Sequence, residues 1–159
     1  MGPNRLRKIG FSAKVFSEAQ LKEQVQVGPG DIFDVSKIRA GLEAIYKMHC
    51  RRGYIDSTSE PIMDLDDAKG LIDLTIKIDE EKQYRVNSVA IVGLKRSAET
   101  RLSSQINLQK GDVFDYPSLV EVLKKNQTRP PSDTSLEKLI SVNRDTRAGT
   151  VDVVINYWQ

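Results

Sequence analysis

The sequence predicts an α+β protein of two tandem β-α-α-β-β modules, each a three-stranded mixed sheet with two helices on one face. Three observations predict this fold: a five-residue motif occurs twice, apolar positions around it recur in the same order, and each motif precedes a helical pattern and then a hairpin pattern. We assign residues 1–82 to the first module and residues 83–159 to the second. Modules of about 80 residues are near the lower size limit for a single stable core.

The repeat is centred on Gly-Asp-Ile-Phe-Asp at residues 30–34, which recurs as Gly-Asp-Val-Phe-Asp at residues 111–115. Positions on both sides keep their order and spacing with small gaps, as where Leu21 matches Leu102, and such collinear matches indicate duplication. The motif positions predicted to have a structural role are Gly30, Asp31, Phe33, Gly111, Asp112 and Phe114. We expect the two phenylalanines to be buried in equivalent places.

Each module opens on a strand that is followed by a capped helix. Residues 7–11 alternate like a short half-buried strand, and residues 86–92 do so in the second module. Ser17 is predicted to be a helix N-cap, because Gln20 lies three residues later and completes a capping box. Ser97 is the corresponding N-cap predicted for the second module.

The motif separates this first helix from a second one. Gly30 supplies a positive φ after the first helix, and Asp34 supplies an N-cap for the second. One face of the second helix is predicted to hold Ile38, Leu42, Ile45, Tyr46 and His49. In the second module Pro130 and Pro131 predict an early end to the equivalent helix.

A β-hairpin closes each module. Residues 62–65 are predicted to pair with residues 71–78, and residues 139–142 with residues 151–157, across turns rich in Asp and Gly. The join between the modules, residues 80–83, is short and charged. We therefore expect the modules to bend at one point only.

The composition excludes several classes of protein. The net charge is only +2 with acids and bases interspersed, so no clustered positive face for nucleic acid is expected. No apolar run approaches the roughly 20 residues that span a bilayer. Cys50 is the only cysteine, so no internal disulfide forms. Predicted strands lie almost at both ends of the chain, from which we expect a fragment of a longer protein.

Residues suited to catalysis or metal binding are few. His49 and Cys50 are adjacent on a predicted helix and therefore do not face each other as base and nucleophile. The acidic cluster Asp64, Asp66 and Asp67 lacks the ligand spacing of a calcium loop and is interpreted as part of a hairpin turn. We expect no catalytic residue, no cofactor and no metal.

A modest group of basic residues allows two interpretations. Solvated surface is the first, and contact with an acidic partner surface or with lipid headgroups is the alternative. The residues concerned are Arg5, Arg7, Lys8, Arg51 and Arg52.

In combination, these features resemble the POTRA (polypeptide-transport-associated) domain of outer-membrane β-barrel assembly proteins and two-partner secretion transporters. The residues that carry the resemblance are Phe16, Ser17, Leu21, the motif at residues 30–34, Tyr46, Gly53, Tyr54 and the strand at residues 72–76. In that family the glycine-tyrosine pair closes the second helix. The second module departs from the pattern at residues 124–133, where the pair is missing.

The resemblance implies a periplasmic segment of an outer-membrane β-barrel assembly protein that binds polypeptide and is not an enzyme. Its implied partners are unfolded or nascent outer-membrane proteins, the barrel and further modules of its own chain, and accessory assembly lipoproteins. Nucleic acid and small-molecule substrates are not expected. One alternative is a two-partner secretion or divisome module that docks one fixed partner, and another is a small enzyme of unrelated class.

The resemblance also implies where polypeptide docks, because the first strand of each hairpin lies at a sheet edge. Such an edge accepts a client strand through its free N–H and C=O groups. Residues 60–66 contain Pro61 and several acids, which discourage pairing, so residues 136–142 are the preferred edge. The predicted peptide-binding residues are Leu136, Lys138, Leu139, Ile140, Ser141 and Val142.

Overall fold

A computed structural model describes residues 2–126 and 136–158 of the chain. They form two units, the first comprising Met1–His49 and Asp56–Glu81, and the second comprising Cys50–Ile55 and Lys82–Gln159. The first elements in chain order are β1 (Arg5–Ser12), α1 (Glu18–Lys22), α2 (Val35–Arg51), β2 (Thr58–Asp66) and β3 (Leu71–Asp79). Those that follow are β4 (Arg85–Val92), α3 (Arg96–Gln105), α4 (Tyr116–Lys125), β5 (Ile140–Asp145) and β6 (Thr150–Asn156).

Each unit contains its own three-stranded mixed sheet, which confirms the predicted fold class. The strand order is β1-β3-β2 in the first sheet and β4-β6-β5 in the second. The outer strands β1 and β4 run parallel to the central strand, and the hairpin strands β2 and β5 run antiparallel to it. In the described residues β3 and β4 belong to separate sheets, as the two-module prediction requires.

The central strands β3 and β6 organise the two cores. Side chains alternate along both strands between buried and more exposed positions, so one face of each sheet packs on the helices. In the first unit the buried core residues are Leu6, Phe16, Leu21, Val25, Val27, Ile38, Ile45, Leu74, Ile76 and Ile78. In the second they are Cys50, Ile55, Tyr84, Val86, Leu102, Phe114, Leu119, Leu123, Val151, Val153 and Ile155.

The helix starts are only partly as predicted. Ser17 caps α1, with the Gln20 amide N–H donating to the Ser17 hydroxyl and the Gln20 side chain accepting from the Ser17 N–H, which confirms the capping box. The prediction that Ser97 caps α3 was wrong. The N-cap is Lys95, which makes no side-chain cap hydrogen bond, and Ser97 already lies in the first helical turn.

The second helix of each unit begins at the aspartate that ends the motif. Asp34 accepts hydrogen bonds from the backbone N–H groups of Ser36 at 2.9 Å and Lys37 at 3.3 Å. Helix α2 has 17 residues, whereas α4 has 10 and ends at Lys125. The prolines predicted to end α4, Pro130 and Pro131, lie outside the described residues.

One residue predicted for the buried face of α2 lies outside it. Ile38, Ile45 and His49 are buried, but Tyr46 is 45% exposed. Tyr46 follows Ile45 directly and is therefore rotated by about 100° around the helix from Ile45, which places it beyond the edge of the buried stripe. The prediction assigned too wide an apolar face to this helix.

A bulge occurs at the same place in both sheets. The register of β1 against β3 shifts at Arg7, and that of β4 against β6 shifts at Asn87. The Arg7 guanidinium donates to both carboxylate oxygens of Asp73, at 2.9 and 2.8 Å, and Asn87 donates to the equivalent Asp152 at 2.8 Å. The hydrogen bond from Arg7 holds the pKa of Asp73 below its usual range, and one from Ser88 does the same for Asp152.

Glu80, predicted to belong to a charged join, is instead buried in the first unit. Its carboxylate accepts hydrogen bonds from the backbone N–H groups of Lys14 and Val15, the latter at 2.8 Å, and only 8% of the residue is exposed. These bonds connect the end of β3 to the loop between β1 and α1. The loop therefore depends on a side chain that lies about 65 residues later in the chain.

The two motif phenylalanines are not equally buried. Phe114 is fully buried, whereas Phe33 is half-buried at the margin of its core. Two nearby apolar residues, Ile32 and Val35, are also exposed, by 50% and 57%. The prediction of equivalent burial was therefore wrong for Phe33.

We expect Phe114→Ala to lower the free energy of unfolding of the second unit by about 3–5 kcal/mol, because a fully buried ring leaves a cavity. Phe33→Ala should cost the first unit less, since part of its ring already contacts water. Native-state amide hydrogen exchange in urea reports each unit separately. Equal losses for the two variants would contradict the burial difference.

Glu80→Ala should destabilise the first unit by about 1–3 kcal/mol, because the Lys14 and Val15 N–H groups lose their acceptor. Glu81→Ala, next along the chain, is the matched control and should leave stability within about 0.5 kcal/mol. Urea denaturation followed by amide exchange measures both. The structural role of Glu80 would be refuted if the two variants unfolded at the same urea concentration.

Candidate functional site

The repeated motif hydrogen-bonds to the first strand of the sheet. In the first unit Gly30 N–H donates to the carbonyl of Leu6 at 2.7 Å, and Leu6 N–H donates to the carbonyl of Asp31 at 2.9 Å. Phe33 N–H then donates to the carbonyl of Asn4 at 2.9 Å. The motif therefore pairs with the start of β1, on the side away from β3, as an isolated antiparallel bridge between Arg5 and Ile32.

The second unit repeats this arrangement bond for bond. Gly111 N–H donates to the carbonyl of Val86 and Val86 N–H donates to the carbonyl of Asp112, both at 2.8 Å. Phe114 N–H donates to the carbonyl of Tyr84 at 3.0 Å. Duplication of the sequence has thus preserved a backbone contact that occupies the start of the β4 edge.

The glycine and aspartate of the motif are required by the shape of its turn. Gly30 and Gly111 both have φ of 94°, a conformation that favours glycine. The Asp31 carboxylate accepts from the Gly28 N–H at 2.8 Å, and the Asp112 carboxylate accepts from the Gln109 N–H at 2.9 Å. These bonds fix the turn that delivers the motif to the strand.

Two arginines also contact the motif. Arg5 was assigned to the basic group in the sequence, and Arg85 was not predicted to have a role. The Arg5 guanidinium donates to the Gly30 carbonyl and the Arg85 guanidinium donates to the Gly111 carbonyl, each at 3.0 Å. The signal in the sequence is that Arg5 and Arg85 each precede the first buried residue of their strand. Arg51 forms an ion pair with Glu121 at 2.9 Å, and Arg7 is hydrogen-bonded to Asp73. Most of the arginines in the predicted basic group therefore interact with other residues of the same chain.

The strand β2 provides the longest continuous sheet edge of the first unit. It has nine residues and pairs with β3 on one side. By register, Met63 and Leu65 lie on the helix-facing side of the sheet, yet they are 58% and 47% exposed. On the opposite face Ile62 is 47% exposed. This edge therefore combines exposed backbone with exposed apolar side chains on both faces.

The predicted docking edge at residues 136–142 is only partly a strand. Leu136–Leu139 forms a 3-10 turn, and β5 begins at Ile140, so the prediction of a strand was wrong for Leu136, Lys138 and Leu139. Positions three apart in a 3-10 turn lie on the same side, which lets Leu136 and Leu139 both pack against the core. An extended strand would place them on opposite faces.

The remaining three predicted residues do lie on β5. Ser141 is exposed, while Ile140 and Val142 are half-buried against the core of the second unit. The strand has six residues and pairs with β6 on one side. It offers a shorter edge with less apolar exposure than β2.

The residues considered for catalysis are buried. His49 is fully buried in the first unit, where its Nδ1 lies 2.9 Å from the Ile45 carbonyl and its ring meets Phe16 edge-on at 4.9 Å. Cys50 is buried in the core of the second unit. Among the residues that the structure describes, no group of His, Cys, Asp or Glu is arranged to hold a metal ion.

The glycine-tyrosine pair after α2 has a defined structural setting. Gly53 has φ of 83°, and its carbonyl accepts from the Tyr84 N–H at 2.9 Å within the second unit. A Cβ at Gly53 would lie 2.6 Å from the Tyr84 carbonyl oxygen, so no other residue fits. Tyr54 is half-buried beside it.

No helix in the described parts of the chain is long and apolar enough to span a bilayer.

Comparison with known sequences places the first unit in a family. Residues 4–81 match the POTRA family, described as Surface antigen variable number repeat. The outer membrane protein assembly factor BamA of Neorickettsia risticii (strain Illinois) is 28% identical over 102 residues, covering 64% of this chain and 14% of that protein. A putative outer membrane protein assembly factor of Treponema pallidum (strain Nichols) is 21% identical over 147 residues, covering 90% of this chain and 17% of that protein. The chain thus spans less than a fifth of the length of these curated relatives.

Solved structures extend the likeness to both units. The crystal structure of Haemophilus influenzae BamA POTRA3-5 matches with a TM-score of 0.75 at 22% identity, covering 98% of this chain and 61% of that one. BamA from Haemophilus ducreyi lacking POTRA domains 1-3 matches with a TM-score of 0.71 at 14% identity, covering 98% of this chain and 29% of that one. The family match over residues 4–81 identifies the first unit as a POTRA domain, and both units have the fold of the POTRA domains in these structures.

Proposed function

We propose that both units are POTRA domains, that they form a periplasmic portion of an outer-membrane β-barrel assembly protein, and that they bind client polypeptide by strand addition. The observation that carries the proposal is the β2 edge, nine residues long with Ile62, Met63 and Leu65 exposed. Two curated relatives named as outer membrane protein assembly factors support the cellular role. The proposed partners are unfolded or nascent outer-membrane proteins, the barrel and further modules of the full-length chain, and accessory assembly lipoproteins.

Strand addition suits this edge because affinity comes from backbone groups that every polypeptide has. An incoming strand extends the sheet through N–H and C=O groups, and its alternate side chains cover Met63 and Leu65 on one face and Ile62 on the other. Burying such apolar surface stabilises the complex by about 25 cal/mol per Å² before the costs of association. Clients with alternating apolar side chains, as in β-barrel strands, fit both requirements.

Two features of β2 limit pairing between copies of the chain. Pro61 has no N–H to donate, and Asp64 is exposed on the strand, so two β2 edges placed side by side repel each other and lack a bond. A client strand without proline or acidic residues meets these features on one side of the pair only, so fewer bonds are lost and no like charges oppose each other. The β2 edge, where Pro61 and the acidic residues were predicted to discourage pairing, therefore disfavours self-association more than it disfavours client binding.

The β5 edge is the second, shorter acceptor in this proposal. Ile140, Ser141 and Val142 keep the role predicted for them, with Ser141 the exposed member. Because β5 has six residues against nine in β2, it forms fewer backbone bonds with a client. The role proposed for the whole chain is binding without catalysis.

The test is a titration with extended peptides that carry the alternating sequence pattern of outer-membrane β-strands, following backbone amide chemical shifts of the 159-residue chain. We expect the largest shifts in Thr58–Asp66. The double variant Met63→Asp/Leu65→Asp should weaken binding about tenfold or more, since about 1.4 kcal/mol corresponds to a factor of ten. Both residues are exposed, so the fold should be retained.

Ser141→Asp, which adds the same kind of charge to the β5 edge, is the matched control and should leave the affinity for peptide nearly unchanged. Shifts confined to Ile140–Asp145 and abolished by Ser141→Asp would move the docking site to β5. Absence of shifts at millimolar peptide, the weak end of the affinity scale, would contradict strand addition at either edge.

A further inference from the structure

An arginine bridges two aspartates on the first sheet. Arg7, at the bulge of β1, donates to both carboxylate oxygens of Asp73 at 2.9 and 2.8 Å and lies 3.4 Å from the Asp66 carboxylate. Asp73 alternates with the buried residues of β3, so these groups lie on the open face of the sheet, away from the helices. Lys8 pairs with Asp73 by register and brings a second positive charge to this face.

The second sheet has the same two aspartates at the same positions. Asp152 holds the position of Asp73 on the central strand, and Asp145 holds that of Asp66 at the end of the hairpin strand. Both sheets pair these strands in the same register. We name Asp145 and Asp152 the Asp152 pair.

The two cations of the first sheet have no counterpart beside the Asp152 pair. Asn87 occupies the bulge of β4 in place of Arg7, and Ser88 pairs with Asp152 in place of Lys8. The bulge falls at the same place against the central strand in both sheets. The backbone that positions a guanidinium on the first sheet is therefore repeated on the second, where the side chains are neutral.

Each carboxylate of the Asp152 pair uses one oxygen within the chain. The Oδ1 of Asp152 accepts from the Asn87 amide at 2.8 Å and from the Ser88 hydroxyl at 2.5 Å. The Oδ1 of Asp145 accepts from two backbone N–H groups of the hairpin turn, at 3.1 and 3.0 Å. Within residues 2–126 and 136–158, no group donates to the Oδ2 atom of either carboxylate, and neither forms an ion pair.

The charge of Asp152 is held in place without a cation. Hydrogen bonds from Ser88 and then Asn87 keep the pKa of Asp152 below its usual range, so this carboxylate is ionised at neutral pH. Two cations from nearby segments are bound to backbone carbonyls instead. The Arg85 guanidinium donates to Gly111 at 3.0 Å, and the Lys82 ammonium donates to Thr146.

We infer that the Asp152 pair, together with Asn87 and Ser88, binds an arginine side chain of a partner polypeptide on the open face of the second sheet. A guanidinium presents several N–H donors in a planar fork and can therefore reach two carboxylate oxygens at once, as Arg7 does on the first sheet. The inference stands independently of client binding at β2.

A metal ion is a poorer occupant than a guanidinium. Calcium takes six to eight oxygen ligands, and the Asp152 pair supplies two carboxylates. In the described part of the chain no group of three or more His, Cys, Asp or Glu is arranged to hold a metal ion. A single arginine needs no further acidic residue.

The surface beside the Asp152 pair leaves room for a polypeptide. By register, Ala90, Val154 and Ser141 form the next row on the open face. Ala90 and Ser141 are exposed, and all three side chains are short. A partner backbone can therefore cross this row while its arginine reaches the Asp152 pair.

The first experiment titrates the 159-residue chain with the tripeptide acetyl-Ala-Arg-Ala-amide, following backbone and side-chain amide chemical shifts. We expect saturable shifts at Asn87 and Asp152 with a Kd in the millimolar range, the weak end of the affinity scale. The citrulline counterpart has the same shape without the charge and should give no saturable shift. The lysine counterpart should bind more weakly, because an ammonium lacks the planar fork.

The second experiment fills the site from within the chain. Asn87→Arg supplies the guanidinium that Arg7 supplies in the first unit, so it should weaken tripeptide binding about fivefold or more, as should Asp152→Asn. Asn87→Gln, which adds length without charge, is the matched control and should keep the affinity. The double variant Arg7→Asn/Lys8→Ser should create a new site, with shifts at Asp73. Asn87→Arg should leave client peptide binding at β2 intact, which separates this inference from the proposed function.

Several results would overturn the inference. They are the absence of saturable shifts at about 20 mM tripeptide, equal binding of the citrulline counterpart, and undiminished binding to Asn87→Arg. Methylguanidinium that binds as tightly as the tripeptide would assign the Asp152 pair to small cations. Concentration-dependent dimerisation that Asp152→Asn abolishes would make a second copy of the chain the occupant.

Discussion

The hydrogen bonds between the Gly-Asp-x-Phe-Asp motif and the first strand of each sheet are the contact on which the rest of the structure depends. They hold the connection between the helices against the strand, with Gly30 and Gly111 in the one backbone conformation that permits it. The same bonds set the start of the second helix, because the motif's last aspartate is its N-cap. Loss of this contact would release a sheet edge and a helix terminus together.

This constraint makes the two edges of each sheet unequal. The motif occupies the beginning of the β1 and β4 edges, while β2 and β5 pair on one side along their whole length. A protein that binds polypeptide through a sheet needs one available edge and protection of the others. In the first unit the available edge also exposes Met63 and Leu65, whose side chains extend beyond the cover of the helices.

Much of the fold was predictable from the sequence, because the repeat aligned each element with its counterpart and local signals such as Ser17 and Gln20 acted as predicted. Two of the failures share a cause, which is that burial depends on distant segments. Phe33 and Phe114 hold the same place in the motif but differ in burial. Glu80 is buried where it accepts hydrogen bonds from N–H groups about 65 residues earlier in the chain. For the candidate site, the sequence located the hairpin strands but not the 3-10 turn at Leu136–Leu139, where core packing outweighs strand propensity.

Nuclear Overhauser contacts between a saturating client peptide and the chain would show directly which sheet edge accepts a strand. Strand addition at β2 predicts short distances from peptide Hα and amide protons to those of Thr58–Asp66, in the pattern of an added strand. The start of β1, where the motif already occupies the edge, should show none. Contacts to the peptide at Asn4–Leu6, with displacement of the motif, would contradict the central claim that the motif determines which edge remains open.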